Sequence, residues 1–190
     1  MSADLSRFHR LNVADACSIW NVLSSELLYL RAKSAGVKFC CTQYVEYECL
    51  AKPRKVEKAY HSYLRQRLLK ARENGDFKSY ALSIEDLQEV HLLENRKKLG
   101  KGELSSMAFA KNTRQAFLTD DKGARKLANA VLGFPGCQTT PHLFGWLIFE
   151  SHLTDSEKTI VIDDQKGCES WLCHHLEDAY MLALQFKLHK

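Results

Sequence analysis

Short apolar runs alternate along this chain with longer stretches whose apolar residues recur every three or four positions. In "RLNVADA", Arg10–Ala16, Leu11 and Val13 alternate with polar neighbours and the run stops at Asp15, which predicts a first strand. From Ser18 to Lys33, residues Ile19, Val22, Leu23, Leu27 and Leu30 share one stripe, predicting a single helix that Gly36 ends. "VKFCCT" (Val37–Thr42) is a compact second strand, and Thr42 is placed to cap the helix "QYVEYECLA", which Pro53 punctuates. A longer helix is predicted over Lys55–Asn74, closed by Gly75, then a third strand in "SYALSI" (Ser79–Ile84) and a helix from Ser83.

Leu104, Met107 and Ala108 stand at helical spacing, so Glu103 heads a further helix. "QAFLT" (Gln115–Thr119) reads as a short strand. Ala124, Leu127, Ala128 and Val131 give one face to the next helix, closed by Gly133. "CQTT" is a last short strand before a helix at His142–Phe149. Strands alternating with helices of this length require right-handed crossovers between parallel neighbours. The expected fold is therefore α/β, a three-layer α/β/α sandwich on a mostly parallel sheet of about five strands. The core spans about residues 10–150 and a helical extension covers 151–190, with Leu172, Leu176, Ala179, Ala183 and Phe186 on one face as an appended helix. In "TIVIDDQKG", Asp163 and Asp164 read as a turn after a short strand.

Composition narrows the class. The 190 residues, 45% hydrophobic and 26% charged, describe an ordinary globular chain. No apolar run approaches the roughly 18–20 residues that span a bilayer, and "MSADLSRFHRLNVADA" lacks a signal-peptide core, so a cytoplasmic location without membrane attachment is expected. Seven cysteines, two of them adjacent at Cys40–Cys41, suit no disulfide framework. "CESWLCHH" lacks the paired spacing of a zinc site, and Cys173 and His174 read as helix residues. The net charge of +4 is mild, but "KPRKVEKAYHSYLRQRLLKAR", Lys52–Arg72, gathers many of the cations. Lys55 and Arg65 there become candidate phosphate contacts, against the plainer reading of a solvated helix face.

The acids carry the chemistry. Ligands of an open parallel sheet bind beyond the carboxyl ends of its strands. Asp15 ends the first strand, Asp120 and Asp121 end the fourth, Glu103 heads a helix, and Glu48 or its neighbour Glu46 lies on the helix after the second strand. Each has a plain use as a helix cap, a first-turn acid or a surface residue. Crowded together they would repel, and a hard divalent cation, Mg²⁺ or Mn²⁺, resolves the conflict. Arg125 is spaced to pair with Asp121 or meet a phosphate, and the Thr119 hydroxyl is adjacent to the acids.

The segments "NVADACSIWNVL", "CTQYVEYECL", "GKGELSSMAFA" and "FLTDDKGARKLA" together resemble the PIN-domain family of metal-dependent ribonucleases, over roughly Leu11 to Phe149. The resemblance implies acids at Asp15, at Glu48 rather than Glu46, at Glu103, and at Asp121 through a T-x-D pattern, with Asp120 in support. It implies a metal held by Asp15, Glu103, Asp120 and Asp121, and RNA as substrate met by Lys55, Arg65, Thr119 and Arg125. An antitoxin partner would follow if the chain is toxin-like, and dimers are common in the family. The alternative is a catalytically silent PIN-like module that binds nucleic acid or protein. The segment Lys52–Asp76 and the tail after Ser151 are longer than in the compact toxins.

Overall fold

The structure is a computed structural model that describes residues 4–53, 56–133 and 136–189. Five parallel strands form one sheet: β1 (Leu11–Ala14), β2 (Lys38–Thr42), β3 (Lys78–Tyr80), β4 (Ala116–Leu118) and β5 (Cys137–Gln138), in the order β3-β2-β1-β4-β5. Helices α1 (Ala16–Ser24), α2 (Glu26–Ser34), α3 (Gln43–Leu50) and α4 (Ala59–Glu73) fill the connections up to β3. Between β3 and β5 come α5 (Ile84–Glu94), α6 (Lys101–Thr113) and α7 (Lys122–Val131). After β5 follow α8 (Thr140–Phe149), α9 (Asp155–Gly167) and α10 (Cys173–Leu188).

Alternation within the strands builds the three layers. Val13 and Phe117 enter a buried cluster with Leu93, Leu104, Met107 and Leu127, from α5, α6 and α7. Their neighbours Ala14 and Leu118 join Phe39 and Cys41 in the opposite cluster, which draws on α1, α2, α4, α8, α9 and α10. A parallel sheet with helices on both faces buries both sides of each strand, and period-two alternation sends successive residues to opposite cores. This is the α/β/α sandwich expected.

The strand order fixes where a site can form. The chain builds outward from β1 through β2 to β3, then returns to lay β4 and β5 on the other side of β1. The direction of winding reverses between β1 and β4, and the crevice beyond their carboxyl ends is where such sheets bind ligands.

Several expected elements change on folding. The helix over Ser18–Lys33 is two helices, α1 and α2, broken at Ser25. Ser25 is fully buried with extended backbone, and its hydroxyl accepts from Leu28 N and donates to Asp164 Oδ2 at 2.8 Å. A serine side chain competing for backbone hydrogen bonds interrupts a helix while the apolar stripe runs on. The helix predicted from Lys55 starts at Ala59, after extended Lys58; Lys55 itself lies outside the described residues. The third strand is Lys78–Tyr80, shorter than "SYALSI", with Ser83 already capping α5.

The largest correction concerns the tail. Asp163 and Asp164 are not in a turn after a strand; they lie within α9. Thr154 and Glu157 form a capping box that starts this helix, and the β-branched run "TIVI" supplies Val161 and Ile162 to its buried face. Nor is the last helix simply appended. Val161, Ile162, Leu172, Leu176, Ala179 and Ala183 belong to the same core as Phe144 and Leu147. Gly145 allows α8 and α10 to approach closely, since a Cβ there would lie 3.2 Å from the Ala179 carbonyl oxygen. No helix among the described residues is long and apolar enough to cross a membrane.

Candidate functional site

Asp15 follows β1 immediately, and its own N–H donates to the Leu118 carbonyl at the end of β4 (3.2 Å). The carboxylate caps α1: Oδ1 accepts from Ser18 N (2.8 Å) and Ser18 Oγ (2.6 Å), while Oδ2 accepts the Thr119 hydroxyl proton. At 1% exposure, burial pushes its carboxyl up to about 7. The three hydrogen bonds pull the other way without cancelling burial, and the neighbouring Asp120 adds to the rise.

Asp120 and Asp121 part company. Asp120 is as buried as Asp15; Oδ1 accepts from Thr140 N (2.9 Å), and Oδ2 from Thr140 Oγ1 (2.6 Å) and Asn21 Nδ2 (2.8 Å). Burial raises its carboxyl, opposed by these bonds and by the Arg125 charge. Asp120 thus ties the end of β4 to the body of α1 and the head of α8. Asp121 is exposed and caps α7 through Oδ1, which accepts from Ala124 N at 2.6 Å. The deeper aspartate braces and the outer one presents a carboxylate edge. The helix-cap uses of Asp15 and Asp121 are therefore real.

From the other side of the crevice come two glutamates. Glu48 on α3 packs its carboxylate against the backbone of Gly102, where a methyl would collide with Oε2, and it pairs with Lys52 at 3.5 Å. The contact between α3 and α6 is fixed by hydroxyls: Thr42 Oγ1 and Ser105 Oγ lie 2.7 Å apart, and Ser105 Oγ donates to the Gly102 carbonyl at 2.9 Å. Glu103, half-buried in the first turn of α6, has its carboxyl raised by burial, and further by Glu48 and Asp121. Backbone N–H groups at the helix head oppose that rise. Glu46 takes no part, because it pairs with Arg72 of α4 at 2.6 Å.

Five carboxylates thus gather at the winding reversal, in two groups: Asp15 with Asp120, and Glu48 with Glu103 and Asp121. Cys17, beside them, is pushed up to about 12 by burial and by Asp15, Asp120 and Asp121. Among the described residues no three Asp, Glu, His or Cys side chains are drawn close enough to enclose a metal ion. Asp163 and Asp164 stay outside the group, bonded to Lys166 and Ser25.

The expected substrate contacts are redistributed. Thr119 is fully buried and holds Asp15, so it positions an acid and is not placed to touch substrate. Arg125 faces Asp120, lining one cavity with it, in place of the expected pairing with Asp121. Arg65 pairs with Glu57 at the surface, while Arg67 donates to the Leu23 and Ser24 carbonyls and Arg72 pairs with Glu46, tying α4 to α1 and α3. Ser18, Asn21 and Thr140 position the aspartates and were not singled out from sequence; the only local signal was Asp15 three residues before Ser18, a cap spacing. A cavity of about 780 Å³ lies elsewhere, around Arg7, His9, Arg10 and His142.

No protein-family model matches the chain, and no curated protein matches it.

Proposed function

We propose that this chain is a Mg²⁺- or Mn²⁺-dependent endoribonuclease that hydrolyses RNA phosphodiester bonds through Asp15, Glu48, Glu103 and Asp121. One observation carries the reading. Acids from four separate elements stand around the reversal point of a parallel sheet, where burial raises the Asp15 and Glu103 carboxyls and neighbouring acids add to the rise. Carboxyls shifted by burial and by one another in a strand-end crevice are a signature of functional sites.

The donors suit a hard cation. All are carboxylates, with no sulfur or imidazole among them. Mg²⁺ takes one or two protein carboxylates and keeps several of its waters, so a closed cage of three side chains is not required. One or two of Asp15, Glu103, Asp120 and Asp121 would ligate the ion directly, and the others, with Glu48, would reach it through its waters. Bound there, the ion would supply charge neutralisation at the phosphate and an activated water for in-line attack.

The protein's own part is positioning. Ser18 and Thr119 fix the Asp15 carboxylate, Thr140 and Asn21 lock Asp120 beneath it, and Gly102 leaves room for Glu48 beside Glu103. Arg125, partly exposed beside Asp120, supplies a cation for a phosphate.

The test is cleavage of end-labelled RNA by purified protein in Mg²⁺, Mn²⁺ or EDTA, with Asp15→Asn as control. Cleavage is expected with metal and none with EDTA or the variant. Equal cleavage by the variant would overturn the proposal. A silent binding module is favoured by one feature, the full hydrogen bonding of Asp15 and Asp120 within the protein; RNA binding that Asp15→Asn leaves intact, without cleavage by either form, would establish it. If the chain is toxin-like, an antitoxin or second copy must dock on a surface other than the α10 stripe, which is buried against α8.

A further inference from the structure

The turn between α9 and α10 carries Trp171, whose side chain is 55% exposed. It is the wall shared by two cavities, one reaching Asp120 and the other Cys17 and Asn21 beside it. One, about 130 Å³, is lined by Asp120, Arg125, Thr139 and His175. The other, about 210 Å³, reaches Cys17 and Asn21 and is closed on its far side by Tyr60 and Leu64 of α4. Both fall below the roughly 300 Å³ at which drug-sized ligand pockets begin, so each suits a single chemical group.

The two cavities differ in chemistry. In the smaller, the Arg125 Nε–H is buried and meets no hydrogen-bond acceptor. An orphaned buried guanidinium donor asks for an anionic oxygen, and phosphate suits a guanidinium best. In the larger, Trp171 offers an aromatic wall, braced by a perpendicular contact with His175 at 5.3 Å. Lys58 and Glu169 form an exposed ion pair that links the approach to α4 with this turn. A cation for a phosphate beside an aromatic wall for a base is how sequence-tolerant sites hold single-stranded nucleic acid.

We infer that Trp171 is a base-stacking platform for a single-stranded RNA substrate, with Arg125 meeting the adjoining phosphate, so that the C-terminal helices deliver the strand to the acids. The inference rests on the ribonuclease reading for its substrate class. It assigns the tail a part in recognition beyond filling the core.

The experiment measures anisotropy of a labelled ten-nucleotide oligouridylate and of an abasic oligomer of equal length, with Ca²⁺ in place of Mg²⁺. Wild type, Trp171→Ala and Trp171→Phe are compared, each with its thermal melt. Trp171→Ala should bind oligouridylate about tenfold more weakly, the ~1.4 kcal/mol at the lower end of base–aromatic stacking. Trp171→Phe should stay within about threefold of wild type, because it keeps an aromatic face. The abasic oligomer should bind wild type and Trp171→Ala alike. Unchanged affinity in Trp171→Ala, an equal loss on both oligomers, or no measurable binding of oligouridylate overturns the platform. RNA cleavage in Mg²⁺ separates the two proposals: cleavage with a Trp171-independent KM sinks the platform alone, and Trp171-dependent binding without any cleavage by wild type sinks the nuclease alone.

Discussion

A buried carboxyl that titrates near 7 makes Asp15 a proton-linked group. Its folded value lies above the unfolded value of 3.8, so between these the folded chain binds the extra proton. The stability Asp15 confers is full below about pH 4 and is lost as pH rises through 7, a change of up to about 4 kcal/mol. In EDTA, wild type should lose more stability between pH 5 and 7.5 than Asp15→Asn does, measured by urea denaturation at each pH. Mg²⁺ added above pH 7 should restore wild type only. Parallel curves for the two proteins would remove Asp15 from the linkage. At this scale the sequence showed which residues are acids and which strand ends they occupy. Residue pattern alone could not separate Asp120 from Asp121, because the partners that bury Asp120, Asn21 and Thr140, are distant in the chain; the resemblance selected Asp121. The resemblance likewise selected Glu48 over Glu46, and Arg72 claims Glu46 from another helix.

The head of α6 shows how an element shapes a site. Gly102 stands in the first turn of α6, with room for the Glu48 carboxylate where a side chain would otherwise be. Gly102→Ala should stabilise the helix by about 0.5–1 kcal/mol, since glycine is the poorer helix former. The displaced group is the flexible end of a glutamate, so the fold should tolerate the change. Cleavage should nevertheless fall, by about 10²-fold if Glu48 moves on the order of 1 Å. Thermal melts and RNA cleavage rates, measured together, check this opposed pair of effects; a rate unchanged in a stabler protein would take Glu48 out of the mechanism. The periodicity of α5, α6 and α8 was readable because each has a local start signal or an unbroken stripe. The break at Ser25 and the helix at α9 were obscured for opposite reasons. At Ser25 the stripe continues through a capped interruption, and in α9 a β-branched run imitates a strand although Thr154 and Glu157 had already set a helix going.

For the molecule as a whole, the alternation of strand and helix was enough to give five parallel strands and three layers, since few topologies satisfy it. It did not give the depth to which the tail is built in. Leu153, Val161, Ile162, Leu172, Leu176 and Ala183 are all buried in the larger core. Each aliphatic side chain among them contributes about 1.5–3 kcal/mol, against a typical total stability of roughly 5–15 kcal/mol. A chain cut after Glu150 should therefore lose fixed side-chain packing, seen as a lost near-ultraviolet circular dichroism signal and binding of a hydrophobic dye. A truncated chain that melts cooperatively near the full-length temperature would contradict the shared core. This arrangement also bears on synthesis. A ribosome releases α10 after every carboxylate of the crevice has already emerged, yet the core under α8, whose first residue Thr140 holds Asp120, stays open until that helix docks. A half-made polypeptide therefore carries all its acids before the core under α8 is closed, and cooperative folding of the whole chain waits on its last helix.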